Sequence, residues 1–199
     1  MTEYSYKLPE REGFKAASEG VHQAKVFQVI DLGFQDGGKF APGAKIGLNW
    51  LLDEGTTIFQ KLNPTADKRG TFGPVVNSLM GKTHTEAELN GFDIGSLVGR
   101  GATIRVIHKT TGAGKVRAEV GTTMDAIGNG VNEIVPDDYA LAYPGMPESD
   151  LAVELAKFPP FVIEMFNKRM DKAEFLKKLA AFKAANPRDK KAAAESSLA

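Results

Sequence analysis

The sequence predicts a mainly β protein: a five-stranded barrel with a helical insert between strands three and four and a C-terminal helical appendage. Three observations predict it. Residues 20–62 and 101–124 hold five segments with the period-two apolar pattern of strands. The stretch between them switches to helical spacing. The residues after the last strand end in a Pro-Pro step followed by a second helical pattern.

Strand one runs from Gly20 to Phe34 and carries apolar residues on both faces, Ala24, Val26 and Ile30 on one and Phe27 and Val29 on the other. A long strand shared between both sheets of a small barrel needs this, and Gly33 is placed to allow a sharp bend. The following loop, QDGGKFAPGAK, is set by Gly37, Gly38, Pro42 and Gly43. Lys39, Phe40 and Lys45 give it charge and an aromatic ring.

Strand two, residues 45–54, alternates Ile46, Leu48, Trp50 and Leu52 with Lys45, Gly47, Asn49 and Asp53, which predicts one core face and one wet face. Trp50, in phase with apolar neighbours, is assigned to the core. In strand three, residues 56–62, an inward Ile58 and Leu62 leave Phe59 and Lys61 on the same outward surface as Lys45 and Asn49. An exposed aromatic beside a lysine suits a stacked base with its phosphate nearby. The competing reading has Phe59 covered by the C-terminal segment.

Asn63-Pro64 and Gly70 then interrupt the chain, and Phe72, Val75, Val76 and Leu79 recur at helical spacing up to Met80-Gly81. FDIGSLVGR leads back into strand four, residues 101–109, where Arg105 alternates with Ile104 and Val106 and reaches the outer face. Strand five spans residues 115–124. The loop before it, HKTTGAGKVR, sets Lys109, Lys115 and Arg117 around Gly112 and Gly114; small hairpin glycines explain the turn but not the lysines.

This order is how an OB-fold is written, and OB barrels hold single-stranded nucleic acid with the loops joining strands one and two and strands four and five. GAGK is not a phosphate loop, because GxxxxGK[ST] would require glycine at Lys109 and Ser or Thr at Val116. The chain has no cysteine, which excludes disulfides and thiolate metal sites, and its three histidines fall in no zinc-enzyme pattern. Carboxylates are scattered, so a metal nuclease is disfavoured; no metal and no cofactor are expected. No apolar run spans a bilayer, and the start MTEYSYKLPEREG lacks a signal-peptide core, so a soluble, intracellular protein is expected. The formal net charge of zero is an average: residues 20–120 carry +3, residues 121–160 carry −6 and residues 161–199 carry +4.

The runs GVHQAKVFQVIDLG, KIGLNWLLDE, FDIGSLVGRGATIRVIHK and YPGMPESDLAVELAKFPPFVIEMFNKR resemble the single-stranded-DNA-binding OB proteins that tailed bacteriophages encode in their replication or recombination modules. The resemblance covers roughly residues 18 to 170 and is one of order and texture. It implies that the segment from Phe158 to Met170 belongs to the domain. It also implies DNA binding along the outer barrel face and the two loops, at Lys39, Phe40, Lys45, Phe59, Lys61, Lys109, Lys115 and Arg117. Arg105 joins them by its strand phase. Many such proteins end in an acidic, partner-recruiting tail, whereas this chain ends basic and alanine-rich.

The organisation expected is therefore an N-terminal extension over residues 1–19, an OB domain over 20–170, a C-terminal helix over 171–185 and a disordered tail over 186–199. The helix carries Phe175, Leu176, Leu179 and Phe182 along one stripe and is expected to dock on its own barrel. The leading functional expectation is a non-catalytic, sequence-nonspecific single-stranded-DNA-binding protein of phage replication or recombination, working with the proteins of those processes in the cytoplasm of the infected bacterium. The alternative is an OB-like module of a phage complex that binds protein and not DNA.

Overall fold

The computed structural model describes residues 16–67, 70–112, 114, 116–127 and 139–186. Its strands are β1 (Gly20–Gln35), β2 (Gly43–Leu52), β3 (Thr57–Leu62), β4 (Gly101–Thr110), β5 (Val116–Ile127) and β6 (Ala140–Ala142). Its helices are α1 (Phe72–Met80), α2 (Glu86–Asn90), α3 (Glu148–Ala156), α4 (Pro160–Asn167) and α5 (Lys172–Ala185), with a 3-10 helix at Ile94–Leu97. The fold is mainly β. The strands form one sheet in the order β3-β2-β1-β4-β5, antiparallel throughout, with β6 added parallel to β1. The sheet is not closed by a hydrogen-bonded ladder among the described residues, although its edges β3 and β5 come into contact.

β1 organises the sheet. Its first half pairs with β4 and its second half with β6, while β2 runs along its other edge from Ala24 to Gln35. Two register shifts interrupt that edge, between Val26 and Gln28 and between Asp31 and Gly33. A bulge adds one residue and reverses the alternation beyond it. The uninterrupted phase expected from the sequence is therefore corrected: Ala24, Val26 and Val29 share the main core, and Ile30 joins Leu32 on the opposite face. Gly33, at φ +64°, forms the bend that its position predicts.

The main core holds Trp50, Leu48, Leu52, Ile58, Leu62, Ile104 and the stripe Phe72, Val75, Val76 and Leu79 of α1. Trp50 is fully buried, and its Nε1 donates to Gln60 Oε1 at 3.1 Å. Helix α1 ends at Gly81 in the left-handed conformation, as the Met80-Gly81 stop predicts.

A second core lies on the other side of the sheet. Ile30 and Leu32 of β1 pack against Ala140 and Ala142 of β6 and against Phe158, Val162 and Phe166. Val162 and Phe166 stand four apart on one face of α4, and Pro159-Pro160 starts that helix, with Pro160 at its first position, where no amide hydrogen bond is lost. Burying these three side chains contributes about 1.5–3 kcal/mol each. The wet face expected for β2 is thus overturned: Gly47 and Asn49 are buried beneath the C-terminal helices. Asn49 Nδ2 donates to Gln28 Oε1 at 2.8 Å, and Gln28 Nε2 donates to the Lys157 carbonyl at 2.8 Å, so the polar groups trapped there are satisfied.

Helix α5 docks on its own sheet, as expected, but by one end. Phe175 stacks on Phe34 at 4.2 Å between centroids, and Lys178 pairs with Asp36 at 2.8 Å. Of the stripe, Leu176 stays exposed. Residues 187–199 of the expected tail and residues 1–15 of the expected extension lie outside the described residues.

Gly47 is glycine because the Phe59 ring lies over it: a Cβ there would meet ring carbons 2.4 and 2.6 Å away and Ile30 Cγ2 at 2.9 Å. Gly47→Ala is expected to destabilise the fold by about 1–3 kcal/mol in urea unfolding. In a Phe59→Ala background most of that loss should vanish; an undiminished loss would mean that the ring does not set the constraint.

Candidate nucleic-acid interface

A cleft of about 970 Å³ opens where β3 and β5 meet, with the α3–α4 corner as its far wall. Phe59 and Lys61 enter it from β3, Val116 and Arg117 from β5, and Phe158, Phe161, Glu164 and Met165 from the helical side. Strand alternation puts Phe59 and Lys61 on the same side of β3, opposite Ile58 and Leu62, which are buried in the main core. Phe59 is half-buried and meets Phe161 edge-on at 5.5 Å between centroids. The expected open platform at Phe59 is thus corrected: the C-terminal segment covers part of the ring, and what remains free faces the cleft.

Lys61 and Arg117 approach the cleft from opposite edges of the sheet, and neither has a carboxylate partner among the described residues. Lys45 stands one diagonal step from Lys61 on the same face, since Ile46 pairs with Leu62 and Gly47 with Lys61. Its ammonium group hydrogen-bonds Asn63 Oδ1. Burial and then the charge of Lys61 hold it below the usual lysine value. Two cations kept side by side with no carboxylate between them favour an anion. On the opposite wall Glu164 disfavours one, so a phosphate in this cleft belongs on the sheet side and an apolar ring on the side of Phe161.

The other sequence-predicted residues do not gather here. Lys39 and Phe40 sit in the β1–β2 connection, exposed and outside the cleft, with Phe40 at 78% exposure. Arg105 lies on the outer side of β4, paired in register with exposed Val21. Lys109 is neutralised by Glu119 at 2.7 Å. Lys115 lies outside the described residues. What the sequence reading missed is Phe161. Its signal was present in the run Phe158-Pro-Pro-Phe161: Phe158, Val162 and Phe166 make the buried stripe, which leaves Phe161, 44% exposed, off it.

A serine, a histidine and an aspartate also meet, at the start of β1. His22 Nδ1 lies 3.1 Å from Asp53 Oδ1, and Nε2 lies 3.4 Å from Ser18 Oγ. The Ser18 carbonyl is nearer to Nε2, at 3.0 Å, and Ser18 Oγ donates instead to Glu54 Oε2 at 2.6 Å. The group acts as a clasp that holds Ser18 and His22 to the β2–β3 hairpin, with no hydroxyl presented to the imidazole as a nucleophile.

No family model matches this chain, and no curated protein matches it either.

Hydrogen bonds from the Ser18 and Thr56 hydroxyls, and then from the Ser18 amide, hold the Glu54 carboxyl down to about 2. A depressed carboxylate contributes its stability in full above the ordinary value of 4.5 and loses it as pH falls toward 2. Glu54→Gln is therefore expected to lower Tm at neutral pH, with the gap to wild type closing across that window. A gap of constant size in acid would show that ionised Glu54 does not hold the clasp.

Proposed function

We propose that this chain is a single-stranded-DNA-binding protein of OB type whose groove is the β3–β5 cleft. The sheet order β3-β2-β1-β4-β5, with its two edges in contact, supports this reading, because a five-stranded, partly open Greek-key barrel would need both. The observation that carries the functional reading is the meeting in one cleft of two aromatic rings, Phe59 and Phe161, with two cations that have no carboxylate partner among the described residues, Lys61 and Arg117. Stacking on rings is tolerant of sequence because every base has a π-face, and lysine and arginine hold the backbone irrespective of base. The protein binds and does no chemistry. Its assignment to phage replication or recombination rests on the resemblance of its sequence runs.

The orientation follows from the walls. Phosphates lie along Lys61 and Arg117, with Lys45 at the margin, and bases turn toward Phe161. Arg105, paired in register with Val21 of β1, and Lys109, held by Glu119, contribute little.

Fluorescence anisotropy with labelled oligo-dT tests this. Phe161→Ala should weaken binding by about 1–3 kcal/mol, the worth of one stacked base. The pair Lys61→Gln and Arg117→Gln should lower the slope of log affinity against log salt by about 1.4, whereas Arg105→Gln leaves it unchanged. Glu164→Gln should tighten binding, since a like charge leaves the groove. Wild-type protein that shows no salt-dependent affinity for oligo-dT would refute the reading and favour a protein-binding module.

A further inference from the structure

Charge is segregated along this chain, acidic over residues 121–160 and basic over 161–199, and among the described residues Glu148, Asp150 and Glu154 stand on α3 and Lys177, Lys178 and Lys183 on α5. The acidic surface is a groove of about 590 Å³ between the 3-10 helix, β6 and α3. Its floor is apolar, from Val98, Leu141, Met146 and Val153, and Asp150 and Glu154 stand at its rim. Val153 is 62% exposed, high for a valine on a helix with an apolar groove beside it. Glu154 is committed, accepting from Lys157 Nζ at 3.0 Å and from the Leu141 amide at 3.1 Å. Asp150 accepts only from its neighbour, the Ser149 hydroxyl, at 3.1 Å, and neither it nor exposed Glu148 has a cation partner among the described residues.

The basic surface is the outer face of α5. The helix is anchored by Phe175 on Phe34 and by Lys178 on Asp36. That leaves Leu176, Ala180 and Lys183 in one exposed row at spacings of four and three, with Lys177 beside it. Leu176 is 52% exposed. Anchored in this way, α5 turns its outer face away from its own body, so a helix that reaches the groove comes from another molecule.

We propose that the outer face of α5 docks in the acidic-rimmed groove of a second copy of this chain, Leu176 against Val153 and the lysines against Glu148 and Asp150. The two surfaces are different patches of one molecule. The contact is therefore heterologous, and it propagates head to tail instead of closing a dimer. Both patches are small, so the interface falls at the low end of specific contacts and its affinity is weak and salt-sensitive. A weak propagating contact between neighbours is what yields cooperative loading on a strand, but the docking itself needs no nucleic acid.

Sedimentation velocity of the full chain, without DNA, tests it. At low ionic strength the weight-average mass should rise with concentration above the 21.4 kDa monomer, and high salt should return it to the monomer. Val153→Glu and Leu176→Glu should each remain monomeric, with circular-dichroism melts matching wild type. Mixed in equal amounts they should form a dimer and nothing larger, because the first retains its α5 and the second its groove. Wild type that stays monomeric at low salt would overturn the proposal, as would variants that associate like wild type. A mixture that stays monomeric while wild type associates would mean a symmetric contact, which overturns it equally. Oligo-dT affinity of the isolated monomer is a separate readout, so failure here leaves the DNA-binding reading standing and the reverse also holds.

Discussion

The structure depends on the burial of the outer side of β1 and β2. The bulge between Val26 and Gln28 turns Ile30 away from the main core to the side of Leu32, and Gln28 and Asn49 lie on the same side. Apolar side chains and amides cannot both be left there without a cover that excludes water from the first and bonds the second. The α3–α4 corner does both, with Phe158, Val162 and Phe166 over the aliphatic residues and the Lys157 carbonyl accepting from Gln28. Lys157 and Glu154 then hold Tyr139 and Leu141, which brings β6 to β1. The C-terminal helices are thus an integral wall of the fold.

That wall decides where a ligand can go. An open β2–β3 face would offer Gly47, Asn49, Phe59 and Lys61 to a strand of nucleic acid, and the helices close most of it. The surface left free is the line where β3 and β5 meet, at the margin of the covered area. There one ring of the sheet and one ring of the helical wall, Phe59 and Phe161, stand perpendicular with cations on the sheet side. On the proposed reading, covering the face moves the binding surface to its edge and adds Phe161 from the covering segment.

The sequence made the strands, α1 and the inward set Ile46, Leu48, Trp50 and Leu52 legible, because periodicity and glycine stops are local signals. It did not reveal the bulges in β1. A bulge is specified by how a strand pairs with its neighbours, and Phe27 carries no mark of it. That is why Ile30 was assigned to the wrong side. Nor did it show that Gly47 and Asn49 are buried: glycine and asparagine in alternation read as wet, and Asn49 is satisfied through distant Gln28, which in turn donates to the Lys157 carbonyl. Among candidate site residues, the loop lysines stood out by charge, yet Lys109 is paired with Glu119 through the register of β4 and β5. Phe161 stands out only once Phe158, Val162 and Phe166 are known to form the buried stripe, which leaves it off that face.

On the proposed reading, a DNA strand runs in the β3–β5 cleft against the helical wall and not across the β1–β2 face beneath it. Amide NMR spectra recorded during an oligo-dT titration test it most directly. Shifts should concentrate at Lys61, Val116, Arg117 and Phe161, with Ile30, Leu32, Asn49 and Val162 unmoved. Shifts spread through Ile30, Leu32 and Val162 would mean that the C-terminal helices lift away to admit the strand, and would contradict it.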